Sequence, residues 1–158
     1  MPPGDDSSAR PRLGDYELHE LLSAGTRTRT YHARQISVSR DVVLESVKEA
    51  VLGDEEAIET FLTDVRAKAA VDHTNIGSVY EAVREPGAVY YTREWLSGTS
   101  LEEMHEDGRT LPPMRLVGAL RQVGEAMEYL EERGIGTLPL EPRHLVLGNH
   151  EVLRLVNL

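Results

Sequence analysis

Cysteine is absent from this chain of 158 residues, and phenylalanine and tryptophan occur once each. Without a thiol, the chain has no disulfide, no cysteine nucleophile and no zinc–thiolate site. No apolar run approaches the roughly 20 residues that a transmembrane helix needs. The start of the chain, MPPGDDSSARPR, has none of the apolar core of a signal peptide. We therefore expect a cytoplasmic location and no direct membrane insertion.

Basic residues are in deficit, because 17 Lys and Arg stand against 27 Asp and Glu, for a net charge of −10. A field of this sign repels DNA, RNA and anionic membranes, so we expect no nucleic-acid partner. It also disfavours an anionic nucleotide unless basic side chains are gathered locally. Hydrophobic residues make up 40% of the chain, which is enough for the packed core of one domain.

Local patterns outline the secondary structure. One helix is expected to begin after Asp54, a good N-cap, and a short one after Ser100, with Glu103 at the capping-box position. A long helix is expected from Pro113 to Arg133. Strands are expected at 16–22, 28–34, 41–47, 76–83 and 88–95, with a small hairpin at 145–147 and 152–156. This order predicts an α+β fold, with a five-stranded antiparallel sheet that carries one helix, joined to a mainly helical second part.

The segment 134–147, GIGTLPLEPRHLVL, has the hydrophobic spacing of a kinase catalytic loop, G-I-x-H-R-D-L-x-P-x-N-I-L-L. Earlier segments match the glycine-rich loop (22–33), the third-strand V-A-I-K (42–45) and the hinge with its following helix (90–101). Together they resemble the first half of a bacterial-type Ser/Thr protein kinase domain. The expected divisions are a disordered tail at 1–14, a kinase-like N-lobe at 15–95, and the hinge with a truncated, mainly helical C-lobe at 96–158.

Several positions that handle phosphate in kinases have other residues in this chain. The glycine-rich loop keeps Gly25, but Ser23 and Thr28 replace the glycines that let backbone amides approach a phosphate. The third-strand lysine is Glu45, and the helix glutamate that would pair with it is Asp64. Two like charges at roughly 4 Å repel each other by about 4 kcal/mol at an effective dielectric constant of ~20. This pair is therefore expected to repel a triphosphate as well.

The catalytic loop has lost its reactive groups too. The position of the catalytic base is Pro139, which accepts no proton, and the loop lysine is Glu141. The two magnesium ligands are His144 and Asn157, which are poorer partners for magnesium than carboxylates. The resemblance therefore implies degenerate positions and no catalytic, cofactor-binding or metal-binding residue. ATP and magnesium binding are expected to be absent or weak.

These replacements predict a catalytically inactive pseudokinase, hence no enzyme, that acts as a signalling scaffold. Its expected partner is another protein or a second copy of the chain. Two alternatives remain open. One is an atypical nucleotide-binding protein or nucleotide-dependent transferase with a remodelled cleft, and the other is a structural domain of a larger assembly.

The two acidic positions allow two interpretations. Glu45 and Asp64 either share a proton and form a pH-sensitive latch, or point apart, with one of them paired to a basic residue such as Arg66 or Lys68.

Other residues have a functional and a structural interpretation as well. His144 either binds a metal with Asn157 and Glu141 or has no ligand role, and the scattered histidines favour the second. Trp95 either stacks on an adenine-like ring or a partner, or packs inside the protein. The two arginines beside the glycine-rich loop either bind an anion or are solvated; they are Arg27 and Arg29.

Overall fold

Two antiparallel sheets and two longer helices build the protein, and the computed structural model describes residues 10–136 and 139–156. The larger sheet has the strand order β1-β2-β3-β4-β6-β5, and the smaller sheet has the order β7-β8-β9. The strands are β1 (Arg12–Leu13), β2 (Tyr16–Ala24), β3 (Thr28–Gln35), β4 (Arg40–Lys48), β5 (Val79–Glu85), β6 (Ala88–Glu94), β7 (Gly98–Ser100), β8 (Leu145–Gly148) and β9 (Leu153–Leu155). The helices are α1 (Glu49–Leu52), α2 (Glu55–Ala69), α3 (Leu101–Glu106) and α4 (Pro113–Glu132).

The larger sheet has six strands in the described part of the chain, so the predicted five-stranded sheet was one strand short. The additional strand is β1, which pairs with β2 through Arg12 opposite Glu17 and Leu13 opposite Tyr16. Gly14 joins the two strands at a φ of 52°, a conformation that glycine adopts without strain. A strand of two residues has no periodicity to detect, and β1 falls inside the segment 1–14 that was expected to be a disordered tail.

Alternation along β4 gives the larger sheet two different faces. On one face Val42 and Leu44 are completely buried and pack against Tyr16, Ala33 and Tyr90, which we call the core face. The residues that alternate with them, Val43 and Glu45, lie on the opposite face, because successive side chains of a strand point to opposite sides. Glu45 and its cross-strand neighbour from β6 face α2, so we call this side the helix face.

Helix α2 covers the helix face and begins where the sequence predicts. The Asp54 side chain accepts a hydrogen bond from the Ala57 amide at 3.0 Å, which satisfies one of the free N–H groups of the first turn. The buried residues of α2 are Ile58, Leu62 and Val65, and the first two pack with Val89 of β6. Each such side chain contributes roughly 1.5–3 kcal/mol of burial free energy, which holds α2 against the sheet.

The second part of the molecule consists of α3, α4 and the smaller sheet. Helix α4 buries Ala119, Ala126 and Leu130, and the last two pack with Ile76 and Leu155. Gly134 follows this helix at a φ of 64°, a conformation that glycine commonly adopts at the C-terminal end of a helix. Within the described residues, no helix combines the length and the apolar character that crossing a membrane requires.

Buried Asn75 ties the two parts together. Its amide group donates hydrogen bonds to the Leu153 carbonyl at 2.9 Å and to Gln122 Oε1 at 2.7 Å. The same Gln122 oxygen accepts the Leu153 amide at 2.9 Å. The backbone of Leu155 also donates to the Asn75 carbonyl at 2.7 Å. These bonds hold β9 and α4 beside the end of the larger sheet, where the candidate site lies.

Candidate functional site

A cavity of about 220 Å³ lies between α2 and the helix face of the larger sheet, close to the end of β9. Its walls combine apolar side chains with charges of both signs. The residues that line it are Glu45, Phe61, Asp64, Val65, Lys68, Gly77, Ser78, Val79, Tyr91, Arg93, Glu94 and Val156. The strand position and the helix position that the sequence singles out, Glu45 and Asp64, therefore both border one cavity.

The Glu45 carboxylate is hydrogen-bonded inside this cavity. The hydroxyl of Tyr91, directly opposite on β6, donates to Glu45 Oε2 at 3.1 Å. Burial, and after it the negative charge of Glu45, raise the pKa of Tyr91 far above its usual range. The hydroxyl consequently stays protonated at any physiological pH and remains a donor to the carboxylate.

Asp64 pairs with Lys68 one turn further along α2, with the Nζ and Oδ2 atoms 2.7 Å apart. Asp64 therefore has a basic partner, which corresponds to the second of the two interpretations of the acidic positions. The Lys68 side chain is only 16% exposed, so its charge is held within the cavity wall.

Glu94 and Arg93 are two more charged residues that line the cavity. Glu94 accepts a hydrogen bond from the Ser78 amide at 3.1 Å and pairs with Arg154 at 2.9 Å. Arg93 lies two residues after Tyr91 on β6, so that both side chains point to the same face, and it pairs with Val43 of β4. Lys68 and Arg93 are thus two cations that line the cavity.

The glycine-rich segment contains the turn between β2 and β3. The Gly25 amide donates to the Thr28 carbonyl at 2.9 Å, so this N–H group is engaged within the β2–β3 turn. A side chain at Gly25 would meet only ordinary contacts, the nearest to the Thr28 carbonyl oxygen at 3.6 Å. Ser23 is exposed, as are Arg27 and Arg29 beside the turn. The exposed arginines match the solvated interpretation.

The described positions of the catalytic loop, Pro139, Glu141 and His144, are not among the lining residues of the cavity, but the His144 carbonyl accepts a hydrogen bond from the amide of the lining residue Val156 at 2.8 Å. Pro139 is exposed, and Glu141 forms an ion pair with Arg143 at 2.6 Å. His144 is buried, and its Nε2 atom accepts a hydrogen bond from Arg143 Nε at 3.4 Å. The position Asn157 lies outside the described residues.

Magnesium, which the resemblance implies, finds no fitting donor set here. It prefers carboxylate oxygens with several retained waters. In the described ranges, no three acidic, histidine or cysteine side chains are arranged to hold a metal ion. The buried His144 nitrogen is already engaged with Arg143. We therefore derive no step through a metal from these residues.

Trp95 lies just after β6, on a short stack of rings. Its ring is 4.2 Å from that of His32, and His32 in turn lies 5.3 Å from His19. Trp95 remains 38% exposed, so it is packed on one side and open on the other. This stack was not anticipated from sequence, because the irregular β2–β3 register brings His19 and His32 together.

The cavity contains three residues that sequence reasoning missed as a group. Tyr91 and Arg93 alternate along β6, and pairing with β4 puts them on the same face as Glu45. The alternation along β6 predicts from sequence that Tyr91 and Arg93 share a face. It does not show that Glu45 lies on that face, because this depends on the pairing of β4 with β6. Lys68 was named only as one of two partners for an acidic residue.

Comparison with known proteins identifies relatives over nearly the whole chain. The profile of the family described as "Protein kinase domain" matches residues 16–157. Serine/threonine-protein kinase PrkC of Bacillus subtilis is 22% identical over 86% of this chain and 21% of its own length. Serine/threonine-protein kinase ULK3 of Xenopus laevis is 28% identical over 89% of this chain and 30% of its own. The probable serine/threonine-protein kinase SCO3848 of Streptomyces coelicolor is 24% identical over 91% of this chain and 22% of its own length.

These matches correct two predictions. The chain was expected to be a catalytically inactive scaffold and not an enzyme, and both expectations are wrong, because the relatives are named as serine/threonine protein kinases. The chain spans between about a fifth and a third of the length of these relatives.

Proposed function

Because the chain belongs to the protein kinase domain family, we propose that it forms the nucleotide-binding part of a serine/threonine protein kinase. The observation that carries this proposal is the family match over residues 16–157, which includes strands β2 to β9 and every lining residue of the cavity. The names of the relatives supply the reaction class, which is phosphoryl transfer from a nucleotide to a protein hydroxyl.

The cleft of this kinase is remodelled. Lys68 on α2 and Arg93 on β6 provide the positive charge that phosphate groups need, while Glu45 on β4 opposes them. A carboxylate at roughly 4 Å from a phosphate charge costs about 4 kcal/mol at an effective dielectric constant of ~20. We therefore expect nucleotide binding that is measurable but held weak by Glu45.

The partner of such a protein is another protein, bound as a substrate or as a second copy of this chain. The net charge of −10 disfavours nucleic acid as a partner. We also propose a cytoplasmic location, because nucleotide is available there.

The experiment is a labelling assay with the purified full chain, radioactive ATP and a generic acceptor such as casein. Label on serine or threonine is expected, and calorimetry in parallel should detect ATP binding. Glu45→Lys is the matched control, because it removes the opposing charge and should raise both signals. A contaminating kinase would label equally in both preparations. Absence of label and of ATP binding in both proteins would refute the proposed function.

A further inference from the structure

Arg93 is the least satisfied cation of the cavity. Its Nε atom is buried and has no hydrogen-bond partner in the part of the chain that the structure describes. The described residues also provide no ion pair for this guanidinium. A buried donor without an acceptor is unfavourable, and native proteins rarely leave one uncompensated.

The second buried Nε atom of this kind belongs to Arg40, and its setting is different. The Arg40 guanidinium lies over the Tyr80 ring at 3.6 Å and donates to Gln35 Oε1 at 2.7 Å. Arg40 is thus anchored by its other atoms and does not line the cavity. Arg93 differs because it borders open volume into which an acceptor fits.

Arg93 lies near Glu45, the residue at the strand position where kinases have a lysine. Arg93 pairs with Val43 and Tyr91 pairs with Glu45, so all four side chains share the helix face. The positive charge of Arg93 and, after it, a hydrogen bond from Arg93 to the Tyr91 hydroxyl lower the pKa of Tyr91 in part, against the larger effects of burial and Glu45. The cation Arg93 on β6 therefore lies beside the carboxylate of Glu45 on β4.

The other cations around the cavity already have carboxylate partners. Lys68 pairs with Asp64, and Arg154 pairs with Glu94. Arg93 consequently brings the positive charge that an incoming anion meets. A guanidinium suits a phosphate group, because its planar fork offers two parallel charge-assisted hydrogen bonds.

We propose that Arg93 binds a phosphate group of the nucleotide in this cavity, in place of a lysine on β4. This inference rests on the proposed function, since that function supplies the nucleotide. The cavity of about 220 Å³ is smaller than the roughly 300–1,000 Å³ of complete ligand pockets. It accordingly receives phosphate groups and leaves the nucleoside outside.

The test measures binding of ATP, tripolyphosphate and adenosine to the full chain by calorimetry. Arg93→Met is expected to weaken ATP and tripolyphosphate binding by about tenfold to a hundredfold, the range for hydrogen bonds to charged groups. Adenosine binding should stay unchanged. Arg84→Met is the matched control, because Arg84 on the neighbouring β5 pairs with Glu49 and Glu55 outside the cavity. It removes the same charge and should change none of the three affinities.

The outcomes separate this inference from the proposed function. Equal ATP binding by the unaltered protein and Arg93→Met overturns the role of Arg93 and leaves the nucleotide function standing. Tripolyphosphate binding that depends on Arg93, without ATP binding, supports the phosphate site and refutes the nucleotide function. Absence of binding of either anion overturns both.

A conservative variant protects the test against misfolding. Arg93→Lys keeps the charge but loses the planar fork, so anion affinity between those of the unaltered protein and Arg93→Met is expected. If Arg93→Met fails to fold, unchanged anion affinity in Arg93→Lys contradicts the proposal, and weakened affinity supports it.

Discussion

The core face and the helix face of the larger sheet are made by the same strands but have opposite character. Leu44 on the core face is completely buried among Tyr16, Ala33 and Tyr90. Its chain neighbour Glu45 lies on the helix face, where it borders a cavity. One step along β4 thus separates a residue that belongs to the buried core from one that lines the candidate site. The four predictions below test this division.

The largest effect on stability is expected from Leu44→Ala. Removing a fully buried leucine side chain leaves a cavity and costs about 2–5 kcal/mol of unfolding free energy. Glu45→Gln, one residue further, should change the unfolding free energy by less than about 1 kcal/mol, because the amide oxygen still accepts the Tyr91 hydroxyl. Urea denaturation of both variants measures the contrast. Similar losses in the two proteins would contradict the division between the faces.

Glu45→Lys is expected to increase ATP affinity by about tenfold or more, since a repulsive charge becomes an attractive one. Glu59→Lys makes the same change of charge at an exposed position of α2 that does not line the cavity. It should raise the affinity far less. Calorimetry at two salt concentrations measures both variants. An equal gain in the two would mean that net charge, and not the cavity, controls nucleotide affinity.

Alkaline pH should weaken the core face. Burial, and then the hydrogen bond to Glu81, raise the pKa of Tyr16 from 10.0 to about 12. Because the folded pKa is the higher one, this contribution to stability is complete below pH 10 and is lost as the pH rises towards 12. Urea denaturation at a series of pH values should show this decline. Tyr16→Phe should flatten it, and an unchanged slope in that variant would count against the assignment.

The smallest effect is expected from Tyr91→Phe on the helix face. It removes the donor to Glu45 and should lower the unfolding free energy by about 0.5–1.5 kcal/mol. In a protein that already carries Glu45→Leu, the same change should cost less, because no carboxylate remains to be satisfied. A double-mutant cycle by urea denaturation measures this coupling. A coupling of zero would indicate that the hydrogen bond contributes nothing to stability.

Local sequence signals predicted the longer elements well. The Asp54 cap and the box formed by Ser100 and Glu103 are both present, because each depends only on residues three positions apart. The short strands β1 and β7 were missed, since two or three residues carry no periodicity. Their existence depends on the partner strand that they meet, which local patterns do not reveal.

The candidate site was predicted only in part. Glu45 and Asp64 were identified from the resemblance, and both border the cavity. The prediction of a non-enzyme relied on the same replaced positions and is wrong, because the relatives are named as serine/threonine protein kinases. The pairing of β4 with β6 brings Tyr91 and Arg93, which are 46 and 48 positions further along the chain, to the face that carries Glu45.

The sequence by itself determined the family, the order of the helices and longer strands, and the alternation that gives the larger sheet two faces. These properties follow from backbone propensities and from residues close to one another along the chain. Only the tertiary structure decided the charge balance of the cavity. Charges interact through distance in space, so the approach of α2 to the sheet and the pairing of β6 with β4 determine that Lys68 and Arg93 lie near Glu45.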